Sequence, residues 1–228
     1  MVDFNVDKFD DEGRPIRPVL WNTIVDGTGT KTAPVTDATG HPQVDVLSIT
    51  AGDTRIGTVS GVLKEVRVSQ VIDASLGAYL AGDVVGADDC CTTLAIAWEF
   101  DVARVAGGYV YIVAALLANE TPNQAVQYDL ILFNATPTGE KRDNAVNTNP
   151  VAADRSKWIG DITFPQSTAR GATVMTTTEA TPSTIGKLPK AIKCAVGDTK
   201  IYGVLVTRTA YTQVATNDIE ISLLVEQY

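Results

Sequence analysis

The stretch Ile219-Glu-Ile-Ser-Leu-Leu-Val225 decides how the chain is read. Ile219, Ile221, Leu223 and Val225 recur at every second position, with Glu220 and Ser222 between them. That period places the apolar set on one face of an extended strand, whereas a helix would scatter it around its circumference. The pattern repeats in Thr92–Phe100 (TTLAIAWEF), with Leu94, Ile96, Trp98 and Phe100 as the inward set. In Gln127–Phe133 the inward residues are Tyr128, Leu130 and Leu132. In Val62–Ser69, Val62, Val66 and Val68 share a face that Lys64 interrupts. Tyr109–Ala118 is apolar at nearly every position, which predicts a central strand covered on both faces. Val44–Thr50, Trp158–Phe164, Ala191–Ala195 and Ile201–Arg208 complete the set.

No longer segment carries an i, i+3, i+4, i+7 stripe, so the strands predict an all-β fold. Their number and spacing point to a two-sheet β-sandwich of jelly-roll or similar Greek-key type over residues 44–228. Between them lies turn chemistry. Ala51-Gly-Asp-Thr54, Ala81-Gly-Asp-Val84 and Val196-Gly-Asp-Thr199 each set Gly-Asp before a β-branched residue. There glycine supplies positive φ and aspartate bonds nearby backbone. Two long polar spans, 134–157 and 165–187, show no hydrophobic period and read as loops that are functional or ordered by a partner.

Residues 1–43 differ from the rest. Asp3, Asp7, Asp10, Asp11 and Glu12 precede Pro15 and Pro18, and a Thr/Gly/Pro-rich run follows. Such a stretch cannot bury enough apolar surface to fold alone. Phe4, Phe9 and Trp21 are nevertheless large apolar groups for a free tail. The expectation is an extended N-terminal arm that docks on a neighbour through these three side chains; the alternative is an arm folded back on its own domain.

The chain has 228 residues, with 18 Lys+Arg against 27 Asp+Glu and a formal charge of −9. An acidic balance of this size argues against broad nucleic-acid or anionic-membrane binding, both of which need a field of cations. The densest basic patch, Lys141-Arg142, is neutralised by Glu140 and Asp143. The longest apolar run is too short for a membrane helix of about 20 residues. Residues 1–20 show no secretory pattern, which suggests three free thiols, Cys90, Cys91 and Cys194, in a reducing compartment.

Chemistry-bearing groups are few. His41 is the one histidine and lies on the arm, so a Ser-His-Asp triad has no scaffold position for its imidazole. No CxxC or HExxH spacing offers a zinc site, and no cofactor motif is present. The carboxylate pairs Asp10/Asp11, Asp88/Asp89 and Glu99/Asp101 are the only material for acid–base hydrolysis. Their places on an arm, a turn and a polar strand face read as solvated charge. The residues thus predict a protein that is not an enzyme.

Several phrases, in order, resemble a group of virion structural proteins of tailed bacteriophages. They are Ala78-Tyr-Leu-Ala-Gly-Asp-Val-Val-Gly86, Tyr128-Asp-Leu-Ile-Leu-Phe-Asn-Ala-Thr-Pro-Thr138, Asp143-Asn-Ala145, Trp158-Ile-Gly160, Ile201–Thr212 and the closing run 218–227. The likeness covers residues 62–228 and leaves out the arm. It implies a capsid decoration or cement protein on the particle surface, made in the host cytoplasm. Its partners would be the major capsid protein and copies of itself, as a homotrimer on symmetry grounds. The resemblance brings no catalytic residue and no cofactor. The second reading is a head-fibre or tail-associated module that binds host glycan through the two long loops.

Overall fold

The structure is a computed structural model, and it describes residues 24–25, 31–32, 61–87, 96–214 and 216–228. The chain divides into two units, Met1–Thr58 and Val59–Tyr228. In the first, β1 (Ile24–Val25) pairs antiparallel with β2 (Lys31–Thr32). Phe4, Phe9, Trp21 and His41, the strand expected at 44–50, and residues 88–95 with Cys90 and Cys91 lie outside the described residues.

The second unit runs β3 (Val62–Ile72), β4 (Ala78–Tyr79), β5 (Val84–Val85), β6 (Trp98–Asp101), β7 (Tyr109–Asn119) and β8 (Tyr128–Phe133). It continues with β9 (Trp158–Phe164), β10 (Thr168–Ala169), β11 (Thr176–Ala180), β12 (Lys190–Lys193), β13 (Lys200–Thr207), β14 (Tyr211–Thr212) and β15 (Asn217–Gln227). The described residues contain no α-helix, only two short 3-10 turns, and no helix long and apolar enough to cross a membrane. The fold is all-β, as the period-two pattern predicts.

Two antiparallel sheets form the body. One is six-stranded, in the order β10-β11-β7-β15-β3, with β12 on β7 beyond β11. The other is five-stranded, in the order β5-β13-β8-β9, with β6 on β13 beyond β5. Successive strands change sheet: β3 lies in the first, β5 and β6 in the second, β7 in the first, β8 and β9 in the second. β11 and β12 return to the first, β13 to the second and β15 to the first. The two sheets enclose one continuous core that takes Ile112, Leu117, Ile219, Ile221, Leu223 and Val225 from the first sheet. Phe100, Leu130, Leu132, Ile162, Phe164 and Leu205 come from the second. The result is a β-sandwich.

Four local expectations change. Ile96, expected inward with Trp98 and Phe100, is 54% exposed, because β6 begins only at Trp98. The span 165–187 is not all loop, since it contains β10 and β11. β11 (TTTEA) escapes a hydrophobicity reading because its inward residues are Thr176, Thr178 and Ala180. Threonine can line a core when its hydroxyl is satisfied, and here Thr176 donates to the Thr121 carbonyl and Thr178 to that of Pro165. β7 is central in its sheet, yet only one of its faces is covered: Val110, Ile112, Ala115 and Leu117 are buried while Tyr109, Tyr111 and Leu116 are exposed. Lastly, every residue of β8 is buried, so Asp129, Ile131 and Phe133 on its far face are covered too.

Candidate interaction surfaces

Of the three carboxylate pairs, Asp10/Asp11 and Asp88/Asp89 lie outside the described residues, and both members of Glu99/Asp101 are held by neighbours. Glu99 binds Lys200 at 2.8 Å. Asp101 accepts the Thr199 hydroxyl at 2.6 Å and binds Lys64 at 3.4 Å. The Thr199 hydrogen bond, followed by Lys64 and Lys200, holds Asp101 below the usual carboxylate range. Six described carboxylates are displaced downward: Glu65, Asp73, Asp101, Glu140, Asp154 and Asp198. A general acid needs the opposite displacement. Cys194 is buried, and desolvation raises its thiol to about 11, so it is a packed side chain rather than a nucleophile. No group of three or more metal-ligating side chains occurs among the described residues.

The phrases that carried the resemblance meet in space. Tyr79 stacks on Tyr211 with ring centroids 4.7 Å apart, and Tyr128 meets Tyr211 edge-on at 6.1 Å. The Tyr79 hydroxyl donates to Asp143 at 2.7 Å, and the Gly86 N–H donates to the other carboxylate oxygen at 3.1 Å. Burial first, and then the Asp143 charge, push the Tyr79 hydroxyl upward, so it stays a proton donor at any physiological pH. Alongside, the Val84 N–H donates to the Ala145 carbonyl, the Asn144 N–H donates to Val84, and Asp83 bridges Val146. Sequence reading missed this knot. Its signal was present as separate phrases, but only folding brings residue 79 to residue 143.

The same contacts fix the loop 134–157. It leaves β8, reaches β5 and returns to β9, and with the order β5-β13-β8-β9 it has to pass over β13. On that face Val84, Ile131, Phe133, Val204 and Val206 form a second buried cluster. Asp154 anchors the returning limb. Its carboxylate is fully buried and accepts from the Thr138 N–H (2.7 Å), the Thr138 hydroxyl (3.0 Å) and the Gly139 N–H (3.3 Å), with Lys157 at 3.0 Å. Burial alone would raise its titration, but the Thr138 and Lys157 contacts outweigh that and leave it lowered. The loop expected to be functional or ordered by a partner is thus held in place by its own domain.

Glu140 gives a pH test of this loop. The Arg142 guanidinium, at 2.6 Å, and the N–H groups of residues 141 and 142 hold its carboxyl at about 2, against an ordinary 4.5. A depressed folded-state value means stabilisation that is complete above the unfolded value and is lost as pH falls through the folded one. Between about pH 5 and pH 2 the thermal midpoint of Glu140→Gln is expected to fall less steeply than that of the parent chain. Parallel curves would show that the pair contributes nothing.

The outer face of the first sheet is different, because it stays open. Tyr109 (56% exposed), Tyr111 (42%) and Tyr228 (52%) share it with Leu63 and Leu116. Tyr111 and Tyr228 meet edge-on at 5.6 Å, and the Lys193 ammonium lies 4.9 Å from the Tyr109 ring centre. Across the sheet, Ala191, Tyr111, Glu226 and Leu63 form one row. Arg67 links Glu65 (2.8 Å) and Glu220 (3.2 Å) farther along.

No protein-family model and no curated protein matches the chain. Among solved structures, the capsid of Ralstonia phage GP4 is similar at 19% identity and a TM-score of 0.38, over 77% of this chain and 90% of that one. A mud crab dicistrovirus structure is similar at 12% identity and a TM-score of 0.21, over 98% of this chain and 90% of that one.

Proposed function

We propose that this chain is a structural component of a tailed-phage virion, a decoration or cement protein that binds the capsid shell and performs no catalysis. The observation that carries the reading is the convergence of the resembling phrases. Ala78–Gly86, Tyr128–Thr138, Asp143–Ala145 and Ile201–Thr212 are distant in sequence yet build one buried knot around Asp143 and three tyrosines. Such phrases describe a shared scaffold, not a shared active site. The body is read as a jelly roll, because β3-β15-β7-β11 facing β5-β13-β8-β9 is the strand order of a double Greek key. The downward carboxylate titrations and the buried Cys194 favour a non-catalytic role.

In this reading residues 1–43 are the docking arm, with Phe4, Phe9 and Trp21 as anchors and the body presented outward, as a homotrimer. Weak contacts repeated over a symmetric shell add up through effective concentration. Imaging of particles with and without the protein tests the role. Ordered copies in the hundreds on the head and earlier heat-induced rupture of particles lacking it are expected; a dozen copies at the tail would move the chain to the fibre or tail class. The triple variant Phe4→Ala, Phe9→Ala, Trp21→Ala tests the arm. It is expected to keep the parent's thermal midpoint and lose particle association at least tenfold, about 1.4 kcal/mol; full retention on particles would remove the anchors.

A further inference from the structure

The outer face of the second sheet is buried, with the loop 134–157 bonded to β5 at its edge, while the first sheet keeps an aromatic face open. On it Tyr109, Tyr111 and Tyr228 lie in adjacent rows of three paired strands, so their positions are set by backbone pairing. Tyr111 stands opposite Glu226, with the small Ala191 on its other side, which leaves the ring open to an incoming group. Exposed tyrosine at this density is the composition of an interface centre, not of ordinary surface.

The charge around the tyrosines selects the occupant. Glu65 and Glu220 share Arg67, whereas Glu226, directly opposite Tyr111, has no cation at ion-pair distance among the described residues. Lys193 sits over the Tyr109 ring and shows that these rings accept an ammonium. A second copy of this chain, itself at −9, would bring like charge to the face. A cationic side chain instead gains both the ring quadrupole and the Glu226 carboxylate, which accepts only the neutral Tyr228 hydroxyl and keeps its charge.

We propose that the Tyr109–Tyr111–Tyr228 face with Glu226 is a docking site for an arginine- or lysine-bearing segment of a protein partner. The site does not depend on the virion reading and would persist if that reading failed. The test is an NMR titration of the full chain with ring-labelled tyrosine against three probes: a tetra-arginine peptide, a tetra-glutamate peptide and cellohexaose. The arginine peptide is expected to shift the resonances of Tyr109, Tyr111 and Tyr228. The apparent Kd should rise about tenfold in Glu226→Gln, which keeps the volume of a half-buried side chain, and in Tyr111→Ser, an exposed change; both leave the thermal midpoint near the parent's. Arginine-induced shifts spread evenly over the surface and unaffected by Glu226→Gln would overturn the site, reducing it to general charge attraction. A response to cellohexaose alone, or self-association that Tyr111→Ser abolishes, would overturn the cationic occupant in favour of a glycan or a second copy.

Discussion

Trp98→Ala is expected to lower the free energy of unfolding by about 3–5 kcal/mol, the largest single loss in the second unit. Trp98 is 1% exposed and is the largest fully buried side chain among the described residues. Its indole fills the core where β6 lies against Gly203 of β13, and its Nε1–H donates to the Val85 carbonyl at 3.1 Å. Truncation removes apolar contact and also leaves a buried carbonyl without its donor. Because β5 and β6 are short and flank the same strand, the damage should localise there. Hydrogen exchange should rise first at residues 84–85 and 98–101 and later in β7 and β15. Trp98→Phe keeps most of the volume and loses only the donor, so about 1–2 kcal/mol is expected of it. Equal losses for the two variants would mean that packing at this site is not what holds the strand.

Asp143→Ala is expected to cost about 3 kcal/mol and to free the loop 134–157. The change leaves the buried Tyr79 hydroxyl and the Gly86 N–H without their acceptor. Charge-assisted hydrogen bonds in low dielectric are among the costlier ones to remove. Limited proteolysis should then cut between 134 and 157, where the parent chain resists, while the core of β7 and β15 stays protected. Asp143→Asn keeps one carbonyl acceptor and should fall between parent and alanine. A loop equally resistant in the alanine variant would show that Asp154 and Thr138 hold it unaided.

Much of the scaffold is legible in residue order. Ile219, Ile221, Leu223 and Val225 are all fully buried, as their spacing of two requires. Tyr128, Leu130 and Leu132 face the core in the same way. β11 is not legible, because threonine on a core face looks polar until its hydroxyl partners, here the carbonyls of Thr121 and Pro165, are known. The knot around Asp143 is half legible: its phrases stand out, but their contact spans 64 positions. The expected anchors Phe4, Phe9 and Trp21 lie outside the described residues.

By itself, the order of residues determined that this protein is built from strands and which side chains of β8 and β15 point to the shared core, because a period of two is a local property of extended backbone. Only the tertiary structure decided what lies on each outer face. Ile131, Phe133 and Val204 face away from the core like Tyr109, Tyr111 and Leu116, yet the first group is buried and the second open. Alternation records which side of a sheet a residue takes, not what crosses that side. Here the crossing loop is held by Asp143 and Asp154, through hydrogen bonds between positions that meet only after folding.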